Sequence, residues 1–281
     1  MLADLLRNYS AEVTCGDGKS IRAAESFMAP GSEVFVTSLR SDTEDRSVAV
    51  AAQLRNAGLI PVPHIVARNI ASRADLESLV RRLTGEAGVD RALILGGDRA
   101  EPIGEFDSSL QLLETGLFDA FGIRKIKLSW YPEGHPRILD SELAQARAAK
   151  LRVAATRGLE VELIGQFCFE SAPIIASARQ LRAQGIQVPL RVGVAGPASR
   201  ASLLKYAMIC GVGASVRALK ERPGARSLFN GETPERLLRE VADAQAEEPS
   251  LALHRVHFFT FASLASTAQF VEQHAAQTLH A

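Results

Sequence analysis

Short runs rich in Val, Ile, Leu and Phe recur along the chain. Each gives way to a polar or glycine-bearing stretch, then to a segment whose apolar residues fall at helical spacing. The runs predict strands at 12–15, 33–37, 60–66, 92–95, 125–130, 161–167, 190–194 and 256–261. Several carry few charges, as strands covered on both faces do. Between them, Leu76, Leu79, Val80 and Leu83 fall at i, i+3, i+4 and i+7, one stripe of a helix that Gly88 would stop. The stretch ETPERLLREVADAQAEE predicts another helix, with Thr233 as its cap and Pro234 in the first turn. Each intervening segment is long enough to return the chain to a parallel neighbour. Eight strands alternating with helices predict an α/β fold, a single (β/α)8 TIM barrel over residues 1–281. An open, doubly wound sheet is the competing arrangement.

Composition narrows the classes of function. The 281 residues carry 32 basic and 32 acidic side chains, so the formal net charge is zero and no electrostatic footprint for nucleic acid or an anionic membrane is present. Cys15, Cys168 and Cys210 are widely spaced and form no CxxC, which suggests neither a disulfide framework nor a zinc site. The opening MLADLLRNYSAEV lacks the apolar core of a signal peptide, and no apolar run reaches about 18 residues. A soluble, cytoplasmic protein without membrane or nucleic-acid partners is expected; association of the chain with itself stays open. There is no HxH or HExxH for a metal, no GxSxG nucleophile elbow, and no GxGxxG or Walker loop.

In a barrel, chemistry sits at the C-terminal ends of the strands. Those ends carry Glu12 and Thr14, Thr37 and Ser38, His64, Gly96-Gly97-Asp98, Tyr131 with Glu133 and His135, Gln166 and Glu170, then Gly193 to Pro197. Each has an ordinary reading. His64 could be a core histidine bonded to a carbonyl, Glu12 could face solvent, and Gly96-Gly97-Asp98 could be only a turn. Gln166 is harder to dismiss, because an amide inside an apolar strand must find partners or bear a desolvation cost of a few kcal/mol. His254 and His257 read as structural. Two carboxylates, an amide and aromatic walls suit an uncharged heteroaromatic ligand rich in donors and acceptors.

Taken in order, SAEVT, FVTS, VPH, GGD, YPEGHP, GQFCF, GVAGP and VHFFTF resemble the motifs of the methylenetetrahydrofolate reductase family, across nearly the whole chain. The resemblance implies a barrel enzyme that reduces 5,10-methylenetetrahydrofolate to 5-methyltetrahydrofolate with NADH or NADPH, usually through FAD. It implies Glu12 as the acid that opens the methylene bridge, Asp98 facing pterin and flavin, and Gln166 as a pterin ligand. Thr37, His64, Tyr131 and His135 match flavin contacts, Gly97 gives the backbone room to approach, and Arg152 matches a cation that reaches the flavin phosphates. The departures are Gly96 in place of an Arg, AEVTCG in place of FEFFPP, Arg200 near a usual aromatic, and FFTFAS, with Ser263 where an Arg is usual. Weak or substoichiometric FAD is therefore expected. The alternatives are direct hydride transfer without flavin and a folate-binding protein without catalysis. A barrel lyase or aldolase would lack both a metal set and a Schiff-base lysine.

Overall fold

The computed structural model describes residues 2–198, 203, 206, 208 and 234–276; Thr233, Arg200 and Cys210 lie outside these. Its eight strands are β1 (Ser10–Thr14), β2 (Glu33–Thr37), β3 (Ile60–Val66), β4 (Arg91–Leu95), β5 (Lys125–Trp130), β6 (Glu160–Gly165), β7 (Leu190–Ala195) and β8 (Leu253–Phe259). They close in sequence order into a parallel barrel, β8 returning to β1. This is the (β/α)8 architecture read from the sequence, and the open sheet is excluded.

The helices between strands form for local reasons. In helix Arg73–Ala87 the Ser72 side chain accepts from the Asp75 amide, and Gly88 adopts φ 58°, a left-handed stop that costs glycine nothing. Leu76, Val80, Leu83 and Ala87 are the buried stripe. Thr43 caps helix Glu44–Asn56, and Asp17 caps Gly18–Phe27. Helix Glu235–Glu247 begins after Pro234 and buries Leu237, Leu238, Val241 and Ala242. No helix among the described residues is long and apolar enough to cross a membrane.

β1 runs 10–14 where 12–15 was expected, β4 and β7 differ by one residue at an end, and the larger differences at β6 and β8 bear on the site. β6 stops at Gly165, although the Gln166 amide still donates to Trp130 O of β5 at 2.7 Å, and the Phe167 amide then turns to Gln166 Oε1 at 3.0 Å. Gln166 thus stands just beyond the strand and not within it. β8 starts at Leu253, three residues earlier than its apolar run, because the exposed His254 and Arg255 still extend the backbone. It stops at Phe259, because Phe261 and Ala262 both take positive φ.

Residues 13–129 and 140–162 make one compact unit; the described residues among 2–12, 130–139 and 163–276 make the other. In the first, pairing sets Phe35 beside Val62, His64 beside Leu93 and Arg91 beside Lys125. Alternation then puts Glu33, Phe35 and Thr37 on one face of β2. On that face, near the strand beginnings, Glu33 Oε1 meets Arg91 Nη1 at 2.6 Å and Lys127 Nζ at 3.3 Å, and Lys127 also bonds Glu162. All four are buried or nearly so, and each charge has an opposite neighbour, the condition under which buried ions persist. In the second unit, Ser10 and Gly193 both lie beside His257, and Glu12 is two residues further along the Ser10 face.

Candidate functional site

Glu12 is the most developed of the expected site residues. Its side chain is 16% exposed, and Oε2 lies 3.9 Å from Nε2 of the buried His257. The other ring nitrogen, Nδ1, is 2.9 Å from the hydroxyl of the fully buried Ser10, which also reaches Val256 O at 3.4 Å. With the Ser10 hydrogen directed at Val256 O, Nδ1–H donates to Ser10, and Nε2 faces the carboxyl. A proton can then reside on Glu12 or on Nε2. The Glu12 backbone is tied down as well, its carbonyl accepting from Thr260 Oγ1 at 2.8 Å. A carboxyl in little water beside an imidazole has the surroundings that a general acid requires.

The same unit holds Gln166, Tyr131 and His135. With Oε1 spent on the Phe167 amide, the Gln166 amide nitrogen has no partner among the described residues and keeps two donors for a ligand. The rings of Tyr131 and His135 meet edge to face at 5.1 Å. His135 Nδ1 accepts the Arg137 amide at 3.2 Å, and burial, aided by the Arg137 charge, holds the imidazole below its ordinary pKa and so neutral. Cys168 sits against Glu133, where burial first and the carboxylate second push the thiol well above its usual range. It is a packed, protonated side chain and no nucleophile. Phe167 is fully buried in a group of rings that includes Phe169, Phe259, Phe261 and Tyr206.

The first unit presents the remaining expected residues. Thr37 and His64 share the inward face, with the Phe35 and His64 rings 6.1 Å apart. The Thr37 hydroxyl donates to Val13 O at 3.1 Å. Gly97 has φ 107°, and a Cβ there would stand 2.7 Å from Val66 Cγ1, so only glycine fits the bend after β4. Asp98 is a surface group, 72% exposed and 3.1 Å from Arg40. Beside His64 opens a cavity of about 350 Å³ whose walls include Ser38, Ser47, Asn69, Leu79 and Arg99. Arg152 is exposed on helix Asp140–Thr156. The half-buried cations of that helix are Arg147 and Lys150, both held below their ordinary pKa by burial. Lys150 donates to Ser109 at 3.3 Å.

The sequence singled out Glu12 but not the side chains beside it. His257, read from the sequence as structural, lies beside that carboxylate. The signal was available in RVHFF: alternation puts His257 on the face opposite Val256 and Phe258, where Ser10 pairs with it. Arg40 left no such signal, because its place beside Asp98 depends on a loop.

No family model matches the chain. Among solved structures it resembles an uncharacterized protein from Clostridium thermocellum that binds two copies of 5-methyl-5,6,7,8-tetrahydrofolic acid, with TM-score 0.61 and 10% identity over 99% of this chain and 100% of that one. It also resembles dihydropteroate synthase from Thermus thermophilus, with TM-score 0.51 and 14% identity over 96% and 95%. A putative phosphonomutase from Burkholderia cenocepacia gives TM-score 0.52 and 12% identity over 99% and 95%. At such identities the likeness establishes the barrel fold.

Proposed function

We propose that the chain binds a reduced folate and interconverts 5,10-methylenetetrahydrofolate and 5-methyltetrahydrofolate, with NADH or NADPH as hydride source. The observation that carries the reading is the buried series Ser10–His257–Glu12, a built acid. Gln166, with its amide nitrogen uncommitted in the same unit, adds a donor for a pterin carbonyl. The solved barrel that binds 5-methyltetrahydrofolate lends support at the level of ligand class, and its low identity leaves the chemistry to be argued from these residues.

The reaction needs a proton and a hydride. Glu12 gives the proton to the nitrogen that leaves the methylene carbon, and the bridge opens to an iminium. Hydride adds to that carbon and makes the methyl group, and NAD(P)+ is released. His257 holds Glu12 in place and passes it the next proton, and Ser10 fixes the imidazole tautomer. A metal is not part of this scheme.

FAD, when bound, would relay hydride between nicotinamide and folate. In the first unit the Thr37 hydroxyl, the His64 imidazole and the Gly97 backbone have donor and acceptor chemistry suited to a flavin; in the second, by themselves, the rings of Tyr131 and His135 do. Cations for its diphosphate are sparse: position 96 is glycine and Arg152 faces solvent, which leaves Arg147 and Lys150 as the half-buried candidates of that helix. Losing one charge-assisted phosphate contact costs about 1.5–3 kcal/mol, roughly ten- to a hundredfold in affinity. Purified protein should therefore be pale. The test follows NAD(P)H oxidation with 5,10-methylenetetrahydrofolate before and after adding FAD. Turnover that needs added FAD supports weak flavin binding, and full turnover in flavin-free protein supports direct transfer. Folate binding without turnover in either direction leaves a folate-binding protein.

A further inference from the structure

The cavity beside His64 reaches past the strand end. Pro63, on the face of β3 opposite His64, lines it together with Leu79 and Leu83 of helix Arg73–Ala87, so the space runs outward between strand and helix. Glu44 and Ser47 of helix Glu44–Asn56 form another side. At about 350 Å³ the cavity is within the range of small-molecule pockets. Its walls are fastened by the chain itself. Arg68 donates to Ala100 O at 3.0 Å and to Asp107 O at 3.1 Å, and the Ile103 amide donates to Arg68 O at 3.2 Å. Gly104 lies against Ala71 so closely that a Cβ would run into that carbonyl. The segment that carries Arg99 and Ile103 is therefore pinned to the residues that follow β3.

The acids of this wall already have donors. Glu44 Oε1 accepts from Arg82 at 3.1 Å, Asp42 accepts the Leu39 amide at 2.8 Å, and Asp75 accepts from the Ser72 hydroxyl at 2.7 Å. Arg40 is spent on Asp98. Arg99 differs. Its Nε donates to Asn69 Oδ1 at 2.6 Å, which orients the half-buried guanidinium, and neither Nη nitrogen has a side-chain or backbone partner among the described residues. Apolar surface stands beside it. Leu79 holds a position in the helical stripe yet is only half-buried, unlike Leu76, Val80 and Leu83. Leu39 and Ile103 in the same wall are 48% and 51% exposed. An oriented guanidinium with donors to spare, next to uncovered apolar walls, matches a carboxylate carried on a compact apolar body.

We propose that this cavity is a second ligand site and that it takes a compact apolar carboxylate. The carboxylate lies on the Nη nitrogens of Arg99, and the hydrocarbon part lies against Leu79, Ile103 and Leu39. The site goes beyond the folate reading and does not depend on it, since His64 is the one lining group that the reading above uses. Two kinds of molecule carry this chemistry: a plain acid, and an apolar amino acid whose ammonium group would find Asp75 in the same wall.

The test titrates 3-phenylpropionate, L-phenylalanine and the uncharged 3-phenylpropanamide into wild type, Arg99→Met and Leu79→Trp by calorimetry, with melting curves for each. Loss of a charge-assisted pair weakens binding by about ten- to a hundredfold. Wild type should therefore prefer the acid to its amide by that factor, and Arg99→Met should bind the two alike. Leu79→Trp fills the cavity and should lose acid and amide together while its melting temperature changes little. L-Phenylalanine bound more tightly than the plain acid supports the site with an amino acid as occupant; bound more weakly, it supports the site with a plain acid. A wild type that binds neither acid saturably, or binds acid and amide equally, overturns the proposal whatever the variants do. So does a folded Arg99→Met or Leu79→Trp that keeps the wild-type affinity for the acid.

Discussion

Glu12 and Asp98 are carboxylates that the sequence presents as equals, each at a strand end and each matched to a catalytic position. Their surroundings differ. Glu12 is mostly withdrawn from water, its partner is a buried imidazole, and that imidazole is bonded in turn to a buried serine. Asp98 is mostly in water, and its partner Arg40 is itself 56% exposed. A carboxylate becomes an acid when its surroundings make the proton worth keeping and a neighbour can replace it. The contrast fits the proposal that Glu12 is the proton donor, and it has Asp98 as an exposed carboxyl paired with Arg40.

The largest expected effect breaks the contrast at its stronger side. Glu12→Gln keeps size and hydrogen bonding but has no carboxyl proton to give. Reduction of 5,10-methylenetetrahydrofolate should fall by about 10²–10⁴-fold, the usual worth of a positioned acid, with 5-methyltetrahydrofolate affinity within a few fold. Asp98→Asn should stay within about tenfold of wild type, since no hydrogen-bonded series backs that carboxylate. Steady-state rates for the two variants side by side check the assignment. A larger loss in Asp98→Asn than in Glu12→Gln would reverse it.

The next effect removes the neighbour and keeps the acid. His257→Asn leaves Glu12 in place without its proton partner, and a loss of about tenfold in kcat with KM little changed is expected, less than a removed acid costs. Ser10→Ala should cost less again, because it only frees the imidazole tautomer. The kcat–pH profile separates positioning from packing. If His257 supplies the proton, the alkaline limb should move in His257→Asn while Ser10→Ala keeps the wild-type shape. A drop in rate with an unmoved profile in both variants would reduce His257 to a packing residue.

Much of the barrel was legible because it rests on short-range rules. β2, β3 and β5 fall where their apolar runs fall, and helix Arg73–Ala87 has the stripe and glycine stop that its spacing implies. Boundaries were lost where a side chain overrides local pattern, as at Gln166, whose Oε1 takes the Phe167 amide just past β6. Glu12 was legible as a carboxylate of the first strand, although it stands in the middle of β1 and not at its end. His257 was not placed beside it, since 245 residues separate the two and only the closure of β8 on β1 joins them. The buried charges of Glu33, Arg91, Lys127 and Glu162 were equally hidden, because in the sequence each looks like a solvated side chain. Charge has no periodicity that reveals its partner.

The smallest expected effect lies on the exposed side. Arg40 reaches Asp98 twice, through the carboxylate at 3.1 Å and the backbone carbonyl at 3.2 Å. It thereby brings a guanidinium next to the loop whose residue 96 is glycine. Both side chains are more than half exposed, so holding them together costs side-chain freedom and gains a Coulomb term that water and salt screen. Arg40→Met should lower unfolding free energy by less than about 1 kcal/mol in denaturant titrations. The difference from wild type should shrink further in 1 M salt, where the Debye length is about 3 Å. His257→Asn, by contrast, disturbs a site from which water is largely absent, and salt should leave its cost nearly unchanged. A salt-independent loss of several kcal/mol in Arg40→Met would show that the Asp98 loop is held as firmly as the Glu12 strand, and the distinction between the two carboxylates would fall.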